Sequence, residues 1–200
     1  MPPPKSQQIN RLFARPVIPV VGALPPDLEV LASASSVIVQ GASLTELPQL
    51  IETLTQPPRD HLGVLVHIDL VAGLENNDAG LEYLARLDSL DGIVTVHHQL
   101  TQAARRLGLL SIVRVFVSDS RALERGLKVV AKSRPDAFEI LPAAAAVKVA
   151  EELRRCAIPH IAGGLCRTEE DVREALSSGS RAVTSTRHAL WQLNASTAQK

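Results

Sequence analysis

Residues Ile158 to Asp171 read IPHIAGGLCRTEED, an apolar run that stops at Gly163-Gly164 and is followed at once by helix-start chemistry. Thr168 is suited to cap a helix, and Glu169, Glu170 and Asp171 fill its first turn, where the helix dipole favours negative charge. The stretch is therefore a strand, a glycine turn and a helix in direct succession. Such turns let backbone amides approach an anion closely, and in parallel α/β folds ligands gather at the carboxyl ends of strands.

The same rhythm recurs along the chain. Apolar runs at 17–21, 36–40, 61–70, 92–96, 110–117 and 137–141, a seventh starting near Pro159 and an eighth at 181–184 read as strands. Helix starts are expected near Pro25-Pro26 with Asp27 and Glu29 in the first turn, at Ser43 or Thr45, at Asp78, about Gln99, at Ser118-Asp119-Ser120, after Pro142 and at Thr168. A last helix carries Leu190 and Trp191. Strands alternating with helices argue for a parallel sheet with right-handed crossovers, and eight is the number that closes a barrel. The expected fold is a compact TIM-like (β/α)8 barrel with parallel strands over residues 11–200, an open doubly wound sheet being the alternative. Residues 1–10, MPPPKSQQIN, are expected to form a flexible tail, because prolines and amides offer little apolar surface to bury.

Composition bounds the function. A 200-residue chain that is 46% hydrophobic suits one core rather than two. Lys plus Arg equals Asp plus Glu at 21 each, so no global basic field draws a polyanion, although a local patch remains open. Cys156 and Cys166 lack CxxC spacing, which fits a reduced, cytoplasmic protein without a zinc site. No apolar run nears the roughly 20 residues of a membrane span, and no signal-peptide pattern opens the chain.

Three groups of residues are able to carry chemistry. His67 and Asp69 lie two apart on the third strand and so share a face, as an acid–base or metal pair would. The adjacent His97-His98 would point to opposite faces of a strand, and no further carboxylate–histidine pair has ligand spacing, so no metal is expected and rim hydrogen bonding is the plainer role. Arg114 on the fifth strand and Glu139 on the sixth fall where core is expected, which predicts a mutual ion pair inside the barrel, since an isolated buried charge costs too much to persist. Such a pair is structural or ligand-facing. The third group is the two last turns, Gly163-Gly164 and Thr184-Ser185-Thr186 with Arg187. Loops after the seventh and eighth strands often build a phosphate site in such barrels. No Asp or Glu occurs from Ala175 to the end of the chain. The acidic helix start at Glu169 opposes an anion there and shifts the expectation to the loop glycines.

Four blocks carry a family resemblance: HIDLVAGL (His67 to Leu74), FEILP (Phe138 to Pro142), IAGGLCRTEEDV (Ile161 to Val172) and Ala189-Leu190-Trp191. In order and spacing they resemble the glycerol-3-phosphate responsive antiterminators, regulators of bacterial glycerol uptake operons, from about Pro16 to Trp191. The resemblance implies a barrel-like regulator that senses glycerol 3-phosphate, binds leader mRNA and prevents early termination, without catalysing a reaction and with no cofactor. The chain departs from the family pattern in the fourth turn. There the family reads like Ser-Thr-Lys-Ser-Asn, and this chain has Thr95-Val96-His97-His98-Gln99.

Single-stranded RNA is commonly held by aromatic stacking and basic grooves. With only Phe13, Tyr83, Phe116, Phe138 and Trp191, no aromatic platform is visible in the sequence. Arg121, Arg125, Lys128 and Lys132 recur at near-helical spacing, so one helix face is the candidate RNA contact. The competing reading is a TIM-barrel enzyme acting on a small phosphorylated substrate, with Asp69, His67 or Glu139 as acid or base. A homodimer is left open.

Overall fold

The structure, a computed structural model, describes residues 4–25 and 28–196. Eight parallel strands close into one barrel: β1 (Val17–Val21), β2 (Ser36–Val39), β3 (Gly63–His67), β4 (Leu90–Thr95), β5 (Leu110–Phe116), β6 (Ala137–Leu141), β7 (His160–Gly163) and β8 (Val183–Ser185). Each pairs with its neighbours in sequence, and β8 returns to β1 through the register Ile18 to Thr184. The expected (β/α)8 architecture is therefore the observed one.

Barrel closure explains why the strands read as continuous apolar runs. Alternate residues face two different cores. Ile18, Val20, Ile38, Leu65, Val94, Leu110, Ile112, Ala137, Ile161 and Ala182 fill the barrel interior. Their neighbours, such as Val17, Val37, Val64, Val66, Val113, Phe138, Ile140 and Val183, pack against the outer helices.

Those helices are α2 (Leu47–Thr55), α3 (Asp78–Leu84), α4 (Leu100–Arg106), α5 (Ser120–Ser133), α6 (Ala143–Lys148), α7 (Ala150–Arg154), α8 (Glu169–Ser177), α9 (His188–Trp191) and α10 (Leu193–Ser196), with α1 (Lys5–Leu12) ahead of β1. Asp119 caps α5 by accepting from the Ala122 amide at 2.7 Å. Thr168 and Asp171 form a reciprocal capping box on α8. Such caps are each worth about 1 kcal/mol.

The tail expected over residues 1–10 is corrected from residue 5 onward; residues 1–3 lie outside those described. Residues 5–12 are helical because Ile9, Leu12 and Phe13 fall on one face and enter the barrel's inner core from below. Lys5 pairs with Asp136 at 3.2 Å, Arg11 pairs with Asp91, and the Leu12 carbonyl accepts from Ser35 and Ser36 hydroxyls at 2.8 and 2.7 Å. Gly63 is the residue that admits Leu12, whose Cδ2 would lie 2.1 Å from a Cβ at that position.

Smaller corrections follow from side-chain chemistry. The third strand is shorter than 61–70: it ends at His67, and Ile68–Leu70 forms a 3-10 turn. The cap of α3 is Asn77, whose side chain accepts from the Gly80 amide, rather than Asp78. The helix expected from Ser43 or Thr45 starts at Leu47, because the Ser43 hydroxyl and amide are both spent on the Glu46 carboxylate. The helix start at Pro25-Pro26 and Asp27 falls partly outside the described residues; beyond it Glu29–Ser33 is a 3-10 helix. At the other terminus Asn194 seals the β8–β1 seam, accepting from the Val17 amide at 3.0 Å and donating to its carbonyl at 2.9 Å.

Candidate ligand-binding site

The inward face of the barrel changes character at its carboxyl end. Above the apolar layer, β5 contributes Arg114 and β6 contributes Glu139, which sit opposite each other in register. The Glu139 side chain is fully buried, and the two groups solve each other's desolvation: Arg114 Nε donates to Glu139 Oε2 at 2.7 Å. The other oxygen, Oε1, accepts the Thr184 hydroxyl at 2.6 Å. The expected ion pair is thus present, extended by one residue from β8.

Gly163 acquires a different role from the one expected of it. A Cβ there would stand 2.0 Å from Thr184 Oγ1 and 2.6 Å from Glu139 Oε1. Its lack of a side chain makes room for the Glu139–Thr184 contact. Gly164 and Leu165 take positive φ, 72° and 61°, and turn the chain over the barrel mouth.

A cavity of about 350 Å³ opens at that mouth. Arg114, Glu139, Gly164, Thr184, Ser185, Thr186 and Arg187 all line it, so the structure gathers most of the expected residues at one place. Val20, Gln40, Leu141, Leu165, Cys166 and Arg167 complete it. Arg167 is not among the residues expected from the sequence, where the capping signal at Thr168 overlies it; an arginine within four residues of a glycine pair is the available clue. With Arg114 neutralised by Glu139, the remaining side-chain charge in the lining is that of Arg167 and Arg187.

Local bonding fixes the two turns that carry these cations. The Asp171 carboxylate accepts from the Arg167 and Thr168 amides, both at 2.8 Å, which occupies the start of α8 and holds the Asp171 carboxyl below its usual range. Ser185 accepts the Arg187 amide on its hydroxyl at 3.1 Å and the Trp191 indole on its carbonyl at 2.8 Å. Burial, with the Asp171 charge nearby, pushes the Cys166 thiol up to about 11, so it stays protonated and unreactive at neutral pH.

His67 and Asp69 lie apart from this cavity. Asp69 is on the 3-10 turn after β3, and both its oxygens are engaged, by the Thr95 hydroxyl at 2.6 Å and the Val96 amide at 2.7 Å. It organises the fourth turn. His67 is 2% exposed, with Nδ1 3.8 Å from Asp69, and neither ring nitrogen has a hydrogen-bond partner among the described residues. Burial, reinforced by the Arg114 charge, lowers it to about 4. Of the acid–base candidates, His67 and Asp69 therefore do not converge with the cationic turns, whereas Glu139 lines their cavity with its carboxylate held by Arg114 and Thr184. Among the described residues no cluster of His, Cys, Asp and Glu has the form of a metal site.

Arg121, Arg125, Lys128 and Lys132 are exposed along α5, with Lys128 held by Glu124 at 2.6 Å. No helix among the described residues is long and apolar enough to cross a membrane.

The sequence profile of the glycerol-3-phosphate responsive antiterminators matches residues 24–191. The chain belongs to this family. Two solved structures are similar in fold and sequence. One is the glycerol uptake operon antiterminator regulatory protein of Listeria monocytogenes str. 4b F2365, 28% identical with a TM-score of 0.76, covering 88% of this chain and 95% of that one. The other is a glycerol uptake operon antiterminator-related protein from Thermotoga maritima MSB8, 26% identical with a TM-score of 0.79, covering 89% and 98%. The protein YgcP of Escherichia coli (strain K12) is 34% identical over 128 residues, 64% of this chain and 67% of its own. Membership in the family spans the barrel from the turn after β1 to the Trp191 that anchors the β8 turn.

Proposed function

We propose that this antiterminator-family barrel senses glycerol 3-phosphate in its mouth cavity and couples that binding to recognition of a leader mRNA. The observation that carries the reading is the pair of cationic turns after β7 and β8, with Arg167 and Arg187 lining one cavity beside the Thr184 and Thr186 hydroxyls. Guanidinium forks and hydroxyls complement a phosphate, and the Arg114–Glu139 floor offers both a donor and an acceptor to a polyol. RNA phosphates are taken by the exposed face of α5, Arg121, Arg125, Lys128 and Lys132.

The test is a calorimetric titration with glycerol 3-phosphate, paired with leader-RNA binding in its presence and absence. Binding is expected in the parent chain and at least about tenfold weaker in Arg187→Gln, as expected for one lost charged hydrogen-bonding group. RNA affinity is expected to change with effector. Absence of glycerol 3-phosphate binding, or RNA binding indifferent to it, overturns the proposal.

A further inference from the structure

A second cleft, of about 320 Å³, opens at the opposite end of the barrel. It lies between the end of α7, the loop 156–159, the first residue of β7 and the turn before β8, and Arg154, His160, Gly179 and Arg181 are among its lining residues. No acidic side chain lines it. The Arg181 guanidinium donates to the neutral Asn10 amide oxygen at 2.9 Å, which leaves its charge uncompensated. Arg154 has no ion-pair partner among the described residues, and its stem passes over Gly179, 3.9 Å from where a Cβ would stand.

One buried polar group lines the same cleft. His160 is 5% exposed, and its Nε2 lacks a hydrogen-bond partner among the described residues. Buried polar groups are normally paired, and one left unpaired is costly. Burial also holds the His160 imidazole below its ordinary pKa, so it is neutral near pH 7 and retains one N–H to donate.

We propose that this basal cleft is a second oxoanion site that takes a phosphate group, separate from the mouth cavity. Two guanidiniums and an imidazole present donors, and the group that complements them is a compact anion rich in acceptors. The full length of β7 separates His160 at the base from Gly163 at the mouth, so the two sites do not share a ligand. Arg154, idle in the sensing mechanism, thereby gains a purpose. The phosphate is supplied either by an RNA backbone or by a free phosphorylated metabolite.

The experiment titrates inorganic phosphate into the full chain while following the His160 ring resonances by NMR. Three proteins are compared: the parent, Arg187→Gln, and the double variant Arg154→Gln/Arg181→Gln, each checked for unchanged thermal unfolding. Phosphate is expected to shift the His160 signals in the parent and in Arg187→Gln, with affinity at least about tenfold weaker in the double variant. A single-stranded oligoribonucleotide is then added. Displacement of phosphate identifies the RNA backbone as the source, whereas an unchanged signal identifies free phosphate. His160 resonances unmoved by phosphate, or moved equally in the double variant, overturn the proposal. Arg187→Gln does not touch this cleft, so failure here and failure of effector binding at the mouth are read separately.

Discussion

Thr184 donates its hydroxyl to Glu139 at 2.6 Å inside the barrel, across 45 residues of sequence. The contact exists because Gly163 on the intervening strand has no side chain. Gly163→Ala is therefore expected to displace Thr184 and destabilise the fold by about 1–3 kcal/mol, as overpacking does, with a fall in Tm by calorimetry. An unchanged Tm would show that β7 absorbs a methyl group.

Arg114 and Glu139 form a buried pair whose worth lies mainly in what happens when one partner is lost. Arg114→Leu leaves the fully buried Glu139 carboxylate with Thr184 alone. It is expected to cost about 3–5 kcal/mol in denaturant unfolding, and Arg114→Leu/Glu139→Leu should recover much of that. A double variant as unstable as the sum of the two singles would refute the coupling.

His67 makes stability depend on pH. Its folded pKa of about 4 lies below the ordinary histidine value, chiefly from burial and then from Arg114, with Asp69 opposing. The unfolded chain therefore binds more protons between about pH 6.5 and 4. Stability is intact above that window and is lost as pH falls through it, by on the order of 3 kcal/mol from this residue. His160 is shifted in the same direction by burial. His67→Gln is expected to shallow the slope of unfolding free energy over this window; an identical slope would assign it elsewhere.

Leu12 is fully buried beneath Gly63, at the base of the inner core. Leu12→Ala should cost about 2–5 kcal/mol, measured by urea unfolding. A cost below about 0.5 kcal/mol would mean that α1 decorates the barrel rather than sealing it.

Asp69→Asn removes the charge that receives the Thr95 hydroxyl and the Val96 amide. The expected result is faster hydrogen exchange at Val96 and a loss of about 1–3 kcal/mol. The glycerol 3-phosphate titration should be affected far less than by Arg187→Gln, because Asp69 does not line the mouth cavity.

Much of this protein was legible in its sequence. The eight strand–helix units, the Thr168 cap and the Arg114–Glu139 pairing follow from alternation, turn chemistry and the cost of a lone buried charge, each of which is set by a few neighbouring residues. Placing the two last turns at one cavity also followed, once the barrel was closed in the correct order.

The tertiary structure decided the rest, because those facts depend on residues brought together only by barrel closure. Residues 5–12 look polar when read as a tail, yet Ile9, Leu12 and Phe13 acquire a core to enter only when eight strands leave their lower end open. Gly163 reads as an anion-binding glycine until Thr184 and Glu139 are seen meeting across it. His67 and Asp69 share a face on a strand, but the chain turns after His67, and Asp69 is drawn to the fourth turn by Thr95 and Val96. Sequence fixes the local alternation of side chains; which of them meet is set by the register with which β8 returns to β1.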